Sequence, residues 1–493
     1  MQLHDIGNDL LSAIRSNVGR MAFVTSFGNL TYGQFDNLIG GIALDLKEAG
    51  VCRGSRVAID TRDARIATAS VIACCLLGAS WLHGSRAAYQ KPGLGITHVY
   101  WAGNRNEVPP GHPRLISFDS SRLKSRDMEF WLDKVDPEGY ASDSDICRIG
   151  QSSGTTGSTK FIAITLRDMW ERAMWKSSGM PADVLPVIAC LFPPLSGVGC
   201  NTRLRTLLAG GCCVETGPGT LLEPWQAAGV NTVIGSPAQF SAFLREAGEG
   251  LADRIGAAMV GGGKPSERFL QSLFTCFKTV TVFYGSTEMG HAAETRITDQ
   301  ADFDGGLTPI ADMVYIEVVD DADQALPTGS EGRIRIRGTL GTPSYVNERL
   351  SVENTIRDGW FYPGDIGHFD TSGRLHVSGR GNEVLNIGGV KFNALVLDDV
   401  VQGYKGVKDG YCYLHDNQFG SAEIEVIFVP VAGQDVASIA QGLLADCART
   451  LPANLAPKRA FAVTQLPRTD TGKAMRGKAQ EVVATLQPAA IAS

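Results

Sequence analysis

No G-x-x-x-x-G-K-[ST] spacing occurs in the 493 residues, which excludes the standard P-loop nucleotide site. There is no C-x-x-C pair and no H-E-x-x-H, and the eight histidines form no ligand cluster, so no zinc site is expected. The eleven cysteines are odd in number and scattered, with two adjacent pairs, Cys74–Cys75 and Cys212–Cys213. That pattern reads as reduced, mostly buried thiols in a cytoplasmic protein and excludes a disulfide framework. The longest uncharged run, Ala67–Leu82, is short and contains Thr68, Ser70, Gly78 and Ser80. It reads as a buried helix and not as a membrane span. The opening residues show no charged-then-apolar signal pattern. A formal net charge of −7 argues against a general nucleic-acid partner, while leaving room for a local basic pocket.

What is present is a globular composition, 44% hydrophobic and 20% charged, in a chain long enough for about three average domains. Helical spacing of Phe35, Leu38, Ile39, Ile42 and Leu46 predicts a helix ended at Gly50. A strand at Arg56–Ile59 and a buried helix over 64–79 follow, and residues 101–145 read as polar and irregular. Residues 186–240 read as strand–helix units, with strands at Val187–Phe192, Cys212–Glu215 and Thr232–Gly235 and a helix over 200–209. Further strands are predicted at Ala257–Val260 and over 279–284. This alternation predicts an α/β fold of layered, largely parallel sheets. Alternating patterns and turns over about 305–380 predict a small β-barrel subdomain, and 381–493 a small, mobile α+β domain. The expected domains are therefore 1–380 and 381–493.

One stretch organises the chemistry. In Ile149–Lys160, residues Ser152, Ser153, Gly154, Thr155, Thr156, Gly157 and Ser158 are small or hydroxyl-bearing, and Lys160 closes the run. Glycines let amides turn inward as an anion nest, hydroxyls add donors, and the lysine adds charge. The next strand is expected to start at Ile162. Glycine- and hydroxyl-rich turns also follow the strands ending near Gly235, at Gly261-Gly262-Gly263, and at Tyr284-Gly285-Ser286-Thr287-Glu288. Ligands bind at such strand ends in open α/β sheets.

The stretch resembles the phosphate loop of the adenylate-forming superfamily, which includes acyl- and aryl-CoA synthetases, adenylation domains and luciferase-like enzymes. Other motifs follow in the order of that family. Tyr284–Glu288 resembles Y-G-x-T-E, Asp365 lies in a G-D motif, and Ser378-Gly379-Arg380 follows. Glu331–Ile334 and Tyr345-Val346-Asn347 fall between these, and Pro467–Lys473 resembles the closing P-x-T-x-x-G-K. The resemblance implies that a carboxylic acid is activated by ATP, giving an acyl-adenylate and pyrophosphate, and that a thiol then displaces AMP. Tyr284 and Gly285 would meet adenine, Thr287 the phosphates, Glu288 Mg²⁺, and Asp365 and Arg380 the ribose. Lys473 would bridge the acid and the α-phosphate. Asn382 would be the hinge, with Gly388 and Gly389 lining the thiol's approach. Ser196, Gly197, Gly235, Phe283, Met289 and His291 are the candidate acid pocket. Ser196 stands where amino-acid adenylation domains carry an aspartate, so a simple acyl or aryl acid is expected. Thr159, Phe161, Val282 and Asn382 depart from the usual pattern.

The leading expectation is an acyl- or aryl-CoA ligase. A freestanding enzyme that charges a carrier protein's phosphopantetheine comes second, and a non-catalytic nucleotide-binding protein third. The expected cofactors are ATP and Mg²⁺, with CoA or phosphopantetheine as acceptor. A small carboxylic acid, CoA or a carrier protein, and a second copy of the chain are the candidate partners.

Overall fold

The computed structural model describes the chain except for residues 1–5, 85–87, 90, 92, 103–113, 124–130, 136–137, 154–158, 176, 181–183, 216–221, 238, 241–242, 245–252, 263–264, 266, 339–343, 347–354, 381–383, 388–389, 417–421, 452–454, 469–473, 486–490 and 493. It divides into two compact units. The larger is built from residues 1–261, 271–316 and 335–362, the smaller from 262–270, 317–334 and 363–493.

In the larger unit, α1 (Ile6–Arg15) leads into β1 (Met21–Thr25) and β2 (Leu30–Thr31). Thr31 starts α2 (Tyr32–Glu48). Its hydroxyl accepts from the Gln34 amide at 3.2 Å, and Gln34 Oε1 accepts from the Thr31 amide at 2.8 Å. This reciprocal box satisfies two otherwise orphaned donors. Gly50 follows the helix at φ +87°, the left-handed conformation that glycine adopts without penalty. Next come β3 (Arg56–Asp60), α3 (Ala64–Leu76), β4 (Ser80–His83), β5 (His98–Trp101) and β6 (Leu115–Ser117). Every residue of α3 is buried, which is why its sequence is apolar all round. Part of the stretch read as irregular is therefore strand: β6 pairs in parallel with β5.

The chain continues through β7 (Ile146–Ser153), β8 (Thr159–Thr165), α4 (Leu166–Met174), β9 (Val187–Cys190), α5 (Gly197–Leu208), β10 (Cys212–Glu215), β11 (Thr232–Gly235), β12 (Ile255–Gly261), β13 (Phe277–Ser286), β14 (Gly290–Ile297) and β15 (Gly306–Pro309). Two expected boundaries move. β8 starts at Thr159 and not at Ile162, because the hairpin register continues out to Ser153 opposite Thr159. α5 starts at Gly197 and not at residue 200, because Ser196 caps it: the Ser196 hydroxyl accepts from the Gly199 amide at 3.1 Å.

One sheet runs β15-β14-β13-β12-β11-β9-β10-β1-β2. Its strands from β13 to β1 are parallel, with antiparallel pairs at both ends. The other sheet adds the short strand Ser344–Tyr345 to β8-β7-β4-β3-β5-β6. Helices α1 to α5 pack with both sheets in one core that includes Phe23, Phe35, Ile39, Ile72, Trp81, Cys147, Ile164 and Leu204. This is the expected α/β layering.

In the smaller unit, Val407–Asp416, Ala422–Pro430, Arg459–Ala462 and Ile491–Ala492 form a four-stranded sheet. Helices Ala394–Gly403 and Val436–Thr450 cover it through Leu397, Val401, Ile439 and Leu443. Residues 363–380 add an antiparallel hairpin, Asp365–Phe369 with Leu375–Arg380. All eleven cysteines are free, and only Cys52 is exposed. Burial raises the thiols of Cys74, Cys147, Cys213 and Cys412 well above their ordinary value, as suits small apolar core residues. Among the described residues no helix is long and apolar enough to cross a membrane.

Candidate active site

The mouth of the hydroxyl-rich loop is a closed hairpin. Ser152 lies opposite Lys160 and Ser153 opposite Thr159 in the antiparallel β7–β8 register. Residues Gly154, Thr155, Thr156 and Gly157 lie outside the described residues, as do the side chains of Ser152 and Ser153. Lys160 Nζ donates to Thr355 Oγ1 at 3.1 Å and lies over the Tyr345 ring, 5.4 Å from its centroid.

A second turn meets this hairpin. β13 ends at Tyr284, Gly285 and Ser286, and β14 returns beside it. Gly285 is required by close approach: a Cβ there would stand 2.2 Å from the Gly290 carbonyl oxygen. Between the strands, Arg172 donates to the backbone oxygens of Thr287 at 3.0 Å and Glu288 at 2.8 Å. Thr287 is also brought against β7, since a Cβ on Gly150 would lie 3.0 Å from Thr287 Cγ2. Glu288 is only 9% exposed, and the Tyr345 hydroxyl donates to its Oε1 at 3.3 Å. So Lys160, Thr287 and Glu288, chosen from the sequence, form one group. Two residues the sequence reading gave no site role, Arg172 and Tyr345, hold it together. Tyr345 had a signal in its Tyr-Val-Asn motif. Arg172, inside a helix, had none.

The candidate acid pocket lies along the ends of the parallel strands. Phe283 packs with Ile188, Cys190, Phe192, Ile234 and Met259. Gly261 accommodates it: a Cβ there would come within 2.1 Å of the Phe283 ring. Gly235, at the end of β11, would meet Leu191 and Phe240 in the same way, at 2.9 and 3.3 Å. His291 lies between two rings, 4.6 Å from Phe283 and 4.3 Å from Trp175 by centroids. Burial lowers its pKa, so it is neutral at pH 7. Its Nε2 is 3.4 Å from Glu294 Oε2. Burial works to raise the Glu294 carboxyl, but the His291 imidazole and the donors Ser177 Oγ and Ser178 N outweigh it and hold it at about 2. Arg205, over the Trp175 ring, is lowered to about 10 by burial. Met289 is buried, and its amide donates to Ser286 Oγ at 3.1 Å. Ser196 and Gly197 are at the start of α5, with the Ser196 hydroxyl engaged as a cap.

In the smaller unit, Asp365 and Arg380, fifteen residues apart, become direct cross-strand partners. Asp365 is 7% exposed, and of Arg380 only the backbone is described. Gly262 has φ +81°. Gly263, Asn382, Gly388, Gly389 and Lys473 lie outside the described residues. The base of the segment that carries Lys473 is described: Arg468 and Ala474 form an antiparallel bridge, and Met475 N donates to Pro467 O at 3.0 Å. Arg468 grips Asp409 through two bonds of 2.9 and 2.6 Å.

Comparison with known proteins bears on these motifs. The family model described as AMP-binding enzyme matches residues 104–346, which include the hydroxyl-rich loop and the Tyr284–Glu288 turn. The matched segment is an AMP-binding domain. The chain is 26% identical, over 91% of its length and 89% of the relative's, to the medium/long-chain-fatty-acid–[acyl-carrier-protein] ligase FadD10 of Mycobacterium tuberculosis. Its fold matches the o-succinylbenzoate CoA synthetase MenE from Bacillus subtilis, solved with the acyl-adenylate intermediate OSB-AMP. The TM-score is 0.82 at 18% identity, covering 97% of this chain and 98% of the other. It also matches the anthranilate CoA ligase AuaEII in complex with anthranoyl-AMP, with a TM-score of 0.83 at 18% identity and 98% coverage of each chain.

Proposed function

We propose that this chain is an AMP-forming acid–thiol ligase. It activates a carboxylic acid with ATP to an acyl-adenylate, releasing pyrophosphate, and then passes the acyl group to a thiol. The observation that carries this reading is the junction of β7 with the Thr287–Glu288 turn. There the loop mouth, a hydroxyl, a buried carboxylate and the Lys160 ammonium come together.

In this reading, the loop amides and hydroxyls and Lys160 hold the triphosphate. Glu288 supplies hard oxygen donors of the kind Mg²⁺ takes, and its burial beside a hydroxyl fits that ion. When bound, Mg²⁺ offsets phosphate charge. Tyr284, Gly285 and the backbone of Gly261, Gly262 and Gly263 receive the adenine, and Asp365 and Arg380 the ribose. As the acid's carboxylate attacks the α-phosphorus, negative charge concentrates on the surrounding oxygens. A cation at Lys473 stabilises that arrangement more than the ground state. Rotation about Asn382 then carries Lys473 away and admits the thiol past Gly388 and Gly389.

Pyrophosphate release over a panel of carboxylic acids tests the reading. Release that depends on one class of acid supports it, and Lys473→Ala is expected to lose adenylation while still binding ATP. ATP binding with no acid-dependent release would leave a non-catalytic nucleotide-binding protein. CoA is the first acceptor to test. A carrier protein's phosphopantetheine is the second reading, favoured by the name of the mycobacterial relative. Thioester formation with a holo-carrier protein and none with CoA would select it.

A further inference from the structure

Two deeply buried arginines of the larger unit have carboxylate partners: Arg65 with Asp63 at 2.7 Å and Arg203 with Glu215 at 2.5 Å. Arg148, on β7 and only 3% exposed, has none among the described residues. Its guanidinium lies over the Trp81 ring, 5.0 Å from the centroid, and donates to the Leu195 carbonyl at 3.3 Å. Its Nε has no acceptor. The thiols beside it, Cys147 and Cys200, are raised by burial and carry no compensating charge. A buried cation without a counter-ion is costly, and burial pulls this one below its ordinary range.

The unmatched charge faces a second positive feature. A Cβ on Gly197 would lie 3.8 and 3.9 Å from the two terminal nitrogens of Arg148. Gly197 is the first residue of α5, a helix of twelve residues whose amino end carries partial positive charge. The Ser196 hydroxyl satisfies only the Gly199 amide. A cation packed against a helix amino end is an arrangement that favours an anion.

The site also lies at a useful distance. Gly150 faces Thr287 at the proposed reaction centre. Arg148 is two residues earlier on the same face of β7, roughly 7 Å further in.

We propose that Arg148 and the amino end of α5 bind a second carboxylate on the substrate, remote from the one that is adenylated. The acid is then a dicarboxylic acid. The assignment rests on the ligase reading above and specifies its substrate class.

The test compares each dicarboxylic acid with its own monoamide in the pyrophosphate-release assay, using the full chain and its Arg148→Gln and Arg148→Lys variants. The wild type is expected to prefer the diacid, and Arg148→Gln to reduce the diacid-to-monoamide ratio of kcat/KM by on the order of 10². Arg148→Lys is expected to keep part of the preference. If Arg148 only pins Leu195 to β7, Arg148→Gln will lower both rates and leave the ratio unchanged, which overturns the proposal. A wild type that turns over monoacids or monoamides as well as diacids also overturns it while the ligase reading stands, and this result needs no variant to fold. Release with no acid at all would overturn the ligase reading itself.

Discussion

The Tyr345 hydroxyl donates to Glu288 Oε1 at 3.3 Å while the Tyr345 ring lies under the Lys160 ammonium. One side chain thus links the proposed metal-binding carboxylate to the proposed phosphate-binding cation. Tyr345→Phe removes the bond and keeps the ring. A hydrogen bond to a charged group contributes about 1.5–3 kcal/mol, so a roughly tenfold or greater loss in kcat/KM for MgATP is expected. Tyr345→Leu should lose more, because the cation–π contact adds about 0.5–1 kcal/mol. Steady-state pyrophosphate release at varied MgATP reads both.

Arg172 is expected to matter without touching substrate. It holds the carbonyls of Thr287 and Glu288, and Arg172→Met leaves both without that donor. Each lost bond is worth about 0.5–1.5 kcal/mol in stability, read by urea denaturation. The turn it positions carries two proposed site residues, so the fall in kcat should exceed the fall in ATP affinity.

Gly261→Ala should be destabilising by about 1–3 kcal/mol, because the new methyl overlaps the Phe283 ring. Phe283→Leu in the same chain should recover part of that loss. A double-mutant cycle on unfolding free energy would show the coupling, and strict additivity would contradict the packing account.

Stability should fall with acid in two stages. His291 is depressed from 6.5 by burial, and Glu294 is held at about 2 against an ordinary 4.5. In both cases the unfolded chain binds protons before the folded one, so stability is present at higher pH and lost on acidification. The loss through His291 sets in below pH 6.5, and the loss through Glu294 runs from 4.5 down to about 2. Urea midpoints over pH should show a flatter upper arm in His291→Gln and a flatter lower arm in Glu294→Gln.

Lys473→Ala should cost on the order of 10²–10³ in adenylation rate. Arg468→Ala, which loosens the base of the same segment by removing its grip on Asp409, should give a smaller loss with ATP affinity retained. Single-turnover adenylate formation together with ATP binding separates the two effects.

Local signals explain most of what the sequence made legible. The period of α2, the all-apolar α3 and the short runs of β10 and β11 are written in neighbouring residues. So was the order of the motifs, which predicts the group formed by Lys160, Thr287 and Glu288. What stayed hidden depends on distant partners. Arg148 resembles an ordinary strand arginine until Trp81 and Leu195 enclose it. Trp175, far from His291 in sequence, becomes its neighbour only in the fold. The start of α5 was misplaced because Ser196 was read as a pocket residue and not as a cap. β6 was missed because three residues carry too little pattern to stand out in a polar stretch.

Ten of the eleven thiols are sealed in the interior, and Cys52 alone meets solvent. A maleimide dye will therefore label the native enzyme at one position with no cysteine removed. Paired with a second dye on an introduced surface cysteine in the smaller unit, it provides a spectroscopic ruler for the proposed rotation, readable in solution while ATP, acid and thiol are added in turn.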